Sequence, residues 1–354
     1  MSPPAPVRLG LLGCGWIAGN RLRQIAGRGL AEVAVAADPD PRALDAIRRW
    51  APAARLVPDI DYLQAHELDG VMVSSPSALH CRQAVDLLER GLPVFVQKPV
   101  GIGAGEVARV LASAAAADLP LETDLCYRHL NSARAVRAAL EGSAIGEPFL
   151  VEGWFHNAYR PNAGWSHDVR LAGGGSLMDL GIHLLDLVMW LTGRPLSLTG
   201  AALRSRGRPW THGQLEDFAV LDLALGSGAP VRLMASWDAS TGLDAEIRLR
   251  FYGEQGNLEI GNRDGSFFDF DARLCRGTRC RRLAADDGDA WQAGPLIAWL
   301  ERLARRDGYR EPPWVKRSTS IIDQAYDLER NREGGEPTVS GGTVHEFGRK
   351  GVMP

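Results

Sequence analysis

The chain has almost no excess charge: 40 lysines and arginines stand against 43 aspartates and glutamates, a formal net charge of −3. That balance excludes the basic footprint of a nucleic-acid or anionic-membrane binder and leaves small molecules as the expected partners. Cysteines are few and odd in number, Cys14, Cys81, Cys126, Cys275 and Cys280, with no Cys-x-x-Cys pair, which argues against a disulfide framework. Cys275 and Cys280 flank Arg276-Gly277-Thr278-Arg279 and could face each other in a hairpin; a reduced pair is the expected state. His156, His167, His183 and His212 lack a familiar ligand spacing, so no metal is expected. No apolar run approaches membrane-spanning length, and the N-terminus has no basic region ahead of an apolar core. A cytoplasmic protein is therefore expected. Internal repeats and long low-complexity linkers are absent as well.

What the chain does have is length and order. At 354 residues it exceeds a comfortable single core, which suggests two domains. Residues 7–12 read as a buried strand and run directly into Gly13-Cys14-Gly15-Trp16-Ile17-Ala18; a helical pattern follows, then an apolar strand ending in Asp38. Strand, glycine turn, helix, second strand and terminal acid together form the βαβ fingerprint of a dinucleotide site. The glycines allow a tight turn and close approach of a pyrophosphate to the helix N-terminus. Asp38 would accept hydrogen bonds from the adenine ribose and repel a 2′-phosphate, so NAD is favoured; Arg42 partly offsets that repulsion and leaves NADP open. The alternation continues to a strand over residues 93–96 that delivers Gln97-Lys98-Pro99 at its carboxyl end, where open α/β sheets bind ligands. Proline after Lys98 holds that residue extended, which suits a side chain pointing into a crevice.

Residues 1–125 are thus expected to form an NAD(P)-binding Rossmann domain with a doubly wound parallel sheet. From residue 126 onward the pattern changes to alternating runs separated by glycine turns, the signature of a large, mostly antiparallel, open-faced sheet in an α+β domain. That second domain would bind substrate and, by covering the sheet's open face, form a homodimer or homotetramer; a polar tail follows from about residue 333. Between them, Gly173-Gly174-Gly175 lead into a helical pattern with one apolar face, on which Asp179, His183 and Asp186 fall at i, i+4 and i+7. A carboxylate one turn from an imidazole is a plausible acid/base device, since it sets the tautomer and basicity of the ring. A hydrogen-bonded histidine at a helix interface is the other reading of the same pair.

The Gly13 fingerprint, Ser75-Pro76-Ser77 with His80, Gln97-Lys98-Pro99, Tyr127-Arg128 and the stretch from Gly173 to Asp186 occur together in an order that resembles the Gfo/Idh/MocA family (glucose-fructose oxidoreductase, inositol dehydrogenase and rhizopine catabolism proteins). The resemblance runs from about residue 7 to about residue 330. It implies hydride transfer between NAD(P) and a sugar, cyclitol or nucleotide sugar, with Lys98, Asp179 and His183 at the catalytic positions and also touching substrate. His183 would remove the hydroxyl proton, Asp179 would orient His183 or the substrate, and Lys98 would stabilise oxyanion charge or assist proton transfer. Ser75, Pro76, Ser77, His80 and Gln97 would lie along the cofactor, with Asp124 and Arg128 near the nicotinamide. His156, Asn157, Arg160 and Trp165 would contact substrate. One departure is Gln97, where the family usually has glutamate: it keeps a hydrogen-bonding group but removes a negative charge beside Lys98. Two alternatives follow from the same resemblance, a redox-neutral sugar lyase or glycosidase and a non-catalytic NAD(H)- or sugar-sensing protein.

Overall fold

The computed structural model of the protein describes residues 6–62, 65–162, 164–286 and 293–333, so the expected polar tail lies outside the described residues. Six short apolar strands form the first sheet: β1 (Val7–Leu12), β2 (Ala31–Ala37), β3 (Arg55–Val57), β4 (Gly70–Val73), β5 (Val94–Val96) and β6 (Leu121–Thr123). All pair in parallel, in the order β3-β2-β1-β4-β5-β6. Every residue of β4 and β5 is buried, as expected when crossover helices cover both faces. The helix over Ser77–Glu89 shows why those crossovers fold: Cys81, Ala84, Leu87 and Leu88 recur at helical spacing and turn one stripe to the sheet. The chain order reverses between β1 and β4, and the crevice at that point opens beyond the carboxyl ends of the strands.

Nine strands form the second sheet: β7 (Pro148–Asn157), β8 (Leu196–Ser205), β9 (Arg208–Pro209), β10 (Phe218–Leu225), β11 (Pro230–Ser236), β12 (Ala245–Gly253), β13 (Gly256–Asn262), β14 (Phe270–Arg276) and β15 (Arg279–Ala285). Their order is β15-β14-β13-β12-β7-β11-β10-β8-β9, antiparallel except for β7 with β11. Along β12, buried and half-exposed residues alternate, so one face packs on a core and the other stays open. The packed face meets the helix over Ile182–Thr192.

Four expectations change here. The central helix is buried nearly all round rather than on one face, His183 and Asp186 included. With the preceding turns it forms an apolar stretch, Val169–Thr192, that is long enough to span a membrane; 83% of its most apolar window is buried inside the protein, which marks it as a core helix. Cys275 and Cys280 form a disulfide instead of a reduced pair, because the antiparallel register of β14 and β15 sets them directly opposite each other. Finally, the chain returns to the first sheet after leaving the second. Trp299, on the helix over Gly294–Arg305, is wholly buried against Phe95 of β5, and its indole N–H donates to the carbonyl of Pro120 at 3.2 Å.

Candidate active site

The glycine turn has the geometry that a dinucleotide needs. Gly13 sits at φ +88°, and a Cβ there would lie 2.5 Å from the Ser75 nitrogen, so no side chain fits. At Gly15, which heads the helix over Trp16–Ile25, a Cβ would meet nothing within 4 Å, leaving that helix N-terminus open to a phosphate. Asp38 ends β2 and accepts the N–H groups of Cys14 (2.7 Å) and Asp40 (2.8 Å), which aims the carboxylate at the turn. Arg42, expected to offset the charge of Asp38, is paired with Asp40 instead. Two buried polar atoms in the cleft, the Ser74 hydroxyl and Asp124 Oδ1, have no partner among the described residues, and their hydrogen-bonding capacity remains for a bound group. The residues present therefore fit NAD(P): Gly13 and Gly15 would meet the pyrophosphate, Asp38 the adenine ribose, and Ser74 and Asp124 the nicotinamide end.

Beyond this turn lies a cavity of about 270 Å³ between the two sheets. It gathers Trp16, Ile17, Ser75, Ser77, His80, Gln97 and Asp124 from the first domain with Trp165, Asp179 and His183 from the second, and Lys98 stands where they meet. Lys98 Nζ donates to Asp179 Oδ1 at 2.6 Å and to the Asp179 carbonyl at 2.7 Å. Trp237 Nε1 donates to the other carboxylate oxygen at 3.1 Å. The Lys98 and Asp179 side chains are 20% and 29% exposed, enough to meet a ligand while water is largely excluded. His80 spans the Ser75 and Pro99 carbonyls, 2.7 Å from each, and so ties together the two turns that frame Lys98.

Several expected roles are redistributed. Asp179 makes no hydrogen bond with His183: the chain forms a wide π-helical turn over Leu177–Gly181, and Lys98 and Trp237 take both carboxylate oxygens. His183 packs edge-on against Tyr127, ring centroids 5.0 Å apart, and no described residue hydrogen-bonds to it. Burial, and then the nearby charges of Lys98 and Arg21, hold its pKa well below the usual histidine range, so the ring is neutral. Arg128 does not reach the cavity; it forms an ion pair with Asp186 and donates to the Pro313 carbonyl at 2.7 Å. His156 and Asn157 also lie outside the cavity, His156 facing the Ser236 hydroxyl at 2.7 Å; Arg160 lines a neighbouring groove. Strand alternation and the loop's own turn, neither legible from composition, send those three side chains away from Lys98.

Three residues were missed. Arg21 is 3% exposed, pairs with Asp124 at 2.7 Å, and lines the cavity; an arginine on the apolar stripe of a helix was its signal. Gln97 donates to the same Asp124 oxygen, so Asp124 carries the carboxylate charge of this corner. Tyr127, marked in the sequence only as part of the Tyr127-Arg128 motif, and Trp237, which nothing local marks, complete the wall. A further signal lay in composition: Lys98, Lys316 and Lys350 are the only lysines in an arginine-rich chain, which singles out a position where a compact ammonium is kept.

Comparison with known proteins agrees with this architecture. Residues 7–124 match the model of the oxidoreductase family with an NAD-binding Rossmann fold, and residues 133–259 match the GFO/IDH/MocA C-terminal domain. A putative UDP-kanosamine synthase oxidoreductase subunit from Amycolatopsis mediterranei is 31% identical over 276 residues, 72% of this chain and 75% of that protein. D-apiose dehydrogenase from Rhizobium rhizogenes is 26% identical over 347 residues, 94% of this chain and 89% of the enzyme. The fold of a 3-ketoreductase from Actinomadura kijaniata, solved with NADP and TDP-benzene, superposes with a TM-score of 0.78 at 20% identity, covering 91% of this chain and 98% of that one. A Rossmann domain with an intact glycine turn, joined at Lys98 to a nine-stranded open-faced sheet, places this chain in the Gfo/Idh/MocA family of NAD(P)-dependent oxidoreductases.

Proposed function

We propose that the protein transfers a hydride between a nicotinamide and a secondary alcohol or ketone carbon of a carbohydrate-like substrate held in the Lys98 cavity. The observation that carries this reading is the Lys98–Asp179 ion pair, which joins the two domains at the carboxyl end of β5. A nicotinamide held in this cleft would supply or accept the hydride. Lys98, held by both the carboxylate and the carbonyl of Asp179, presents its remaining ammonium hydrogen to the substrate oxygen and shuttles the proton that accompanies the hydride. His183, neutral and without a hydrogen-bond partner among the described residues, orients a neighbouring hydroxyl or takes up its proton. Trp237 fixes Asp179, and Trp165, 36% exposed at the mouth, offers an apolar face to a sugar ring. Asp38 favours NAD over NADP, since a 2′-phosphate would meet a carboxylate whose nearest arginine is engaged elsewhere.

The test is purified protein with NAD or NADP and a panel of polyols, aldoses, cyclitols and phosphorylated sugars, read by the absorbance of the reduced nicotinamide. Turnover with one substrate group and its loss by about 10²-fold or more in Lys98→Met, with NADH binding retained, is the expected result. Full activity in Lys98→Met refutes the assignment. Product formation without net NADH would instead favour the redox-neutral alternative. The same reading includes a homo-oligomer: Trp154, Met234 and Val220 align across β7, β11 and β10 on the sheet's open face, and light scattering should return a dimer or tetramer.

A further inference from the structure

A second, wide hollow takes no part in the chemistry above. It is bounded by the β8–β9 hairpin, the start of β10 and the segment following β11, and it meets the Lys98 cavity at Trp237, which lines both. Four arginines line it, Arg160, Arg204, Arg206 and Arg208, together with three carboxylates, Asp168, Asp217 and Asp238. The carboxylates are all matched. Arg160 donates to Asp217 at 2.7 Å and to Asp238 at 2.5 Å, and Arg170 pairs with Asp168 at 2.7 Å. Among the described residues the guanidiniums of Arg204, Arg206 and Arg208 have no carboxylate partner; that of Arg204 donates only to the Leu203 carbonyl, while the Arg206 backbone N–H donates to Asp217 Oδ2 at 2.8 Å.

The hairpin turn sets these three residues beside the hollow. Arg206 (φ 52°) and Gly207 (φ 74°) are both left-handed, the two-residue turn that lets Ser205 pair with Arg208 and Arg204 with Pro209. All three arginines line the hollow, and planar guanidinium forks suit the oxygens of a phosphate. A chain of contacts links the hollow to the reacting centre: Lys98 and Trp237 both donate to Asp179, and the Arg160 guanidinium lies over the Trp237 ring, 6.0 Å from its centroid.

Resting on the hydride-transfer reading, we infer that the substrate is a phosphorylated carbohydrate whose reacting carbon lies at Lys98 and whose phosphate is held by Arg204, Arg206 and Arg208. A phosphate ester of this kind belongs to a sugar monophosphate or to a nucleoside diphosphate sugar. The chemistry at the arginines is shared, and the nucleoside distinguishes them.

The test is calorimetric titration of the full chain, first saturated with NADH so that the glycine turn is filled, with inorganic pyrophosphate, UDP and myo-inositol. Pyrophosphate and UDP should bind while myo-inositol shows no dependence on the arginines. Each of Arg206→Ala and Arg208→Ala should weaken anion binding by about tenfold, and added salt should weaken it further. The double variant Arg206→Glu/Arg208→Glu should abolish it with NADH affinity unchanged, which also shows that the variant is folded, since both side chains are exposed. UDP binding more tightly than pyrophosphate supports the nucleotide sugar, and equal affinity supports the monophosphate. No anion binding to the NADH-loaded protein, or binding that survives the charge reversal, overturns the inference and leaves hydride transfer standing. Failure to bind NADH overturns the hydride-transfer reading itself.

Discussion

The position of Asp179 depends on a carboxyl that never meets substrate. Glu216 is wholly buried; its oxygens accept the N–H groups of Gly175 (3.0 Å) and Leu177 (2.8 Å) and the hydroxyl of Tyr326 (3.0 Å). It thereby pins the glycine-rich entry to the turn that carries Asp179. Burial pushes its pKa from 4.5 up to about 7, with the donors pulling part of the way back. Between those values the unfolded chain has released the proton while the folded chain keeps it. Stability from this group is therefore complete at low pH and is lost as pH rises through about 7. A gap of that size is worth about 3 kcal/mol. Glu216→Gln removes the titration while retaining an acceptor for Gly175 or Leu177. Urea unfolding of both proteins from about pH 4 to about pH 8 isolates the term, because the other carboxyls cancel in the difference. The variant should gain about 3 kcal/mol on the parent across that range. A difference that does not change with pH would mean that Glu216 is ionised throughout in the folded protein, and the argument would fail.

Other outcomes follow from the same geometry. Gly13→Ala puts a methyl group 2.5 Å from the Ser75 nitrogen at a left-handed φ, so NADH binding measured by fluorescence should fall at least tenfold, with folding judged by circular dichroism. Because His183 is held neutral, the pH–rate profile should show no histidine inflection between about pH 6 and 7, and His183→Asn should leave its shape unchanged; an inflection lost in that variant would show that the ring titrates. Trp299→Ala should destabilise the protein by about 3–5 kcal/mol in urea unfolding, since the indole fills the core beneath β5, whereas a loss below about 1 kcal/mol would show that the final helices are not part of the first domain's core.

Much of the fold is legible in the sequence because its signals are local. The fingerprint from Gly13 to Asp38 needs only a strand, a tight turn and a helix in succession, and the alternation in β7, β10, β11 and β12 is written in consecutive residues. The strands β14 and β15 are legible only as the hairpin that could set Cys275 against Cys280, because they are short of apolar residues and rich in arginine. Lys98, Asp179 and His183 could be singled out one by one; what each touches could not.

That division has one physical cause. The sequence by itself determined the residues whose role follows from backbone shape: Gly13, which no side chain can replace, Asp38 at a strand end, and Lys98 before a proline. Only the tertiary structure decided which polar groups pair. Helical spacing favoured His183 as the partner of Asp179, but Lys98, 81 residues away, and Trp237, 58 residues away, took its oxygens. The same long-range choices turned Arg128 to Asp186 and Arg160 to Asp217 and Asp238, and left the guanidiniums of Arg204, Arg206 and Arg208 without a carboxylate among the described residues. A hydrogen bond is settled by whichever donor the packed chain brings within about 3 Å, and sequence spacing constrains that only inside a single element.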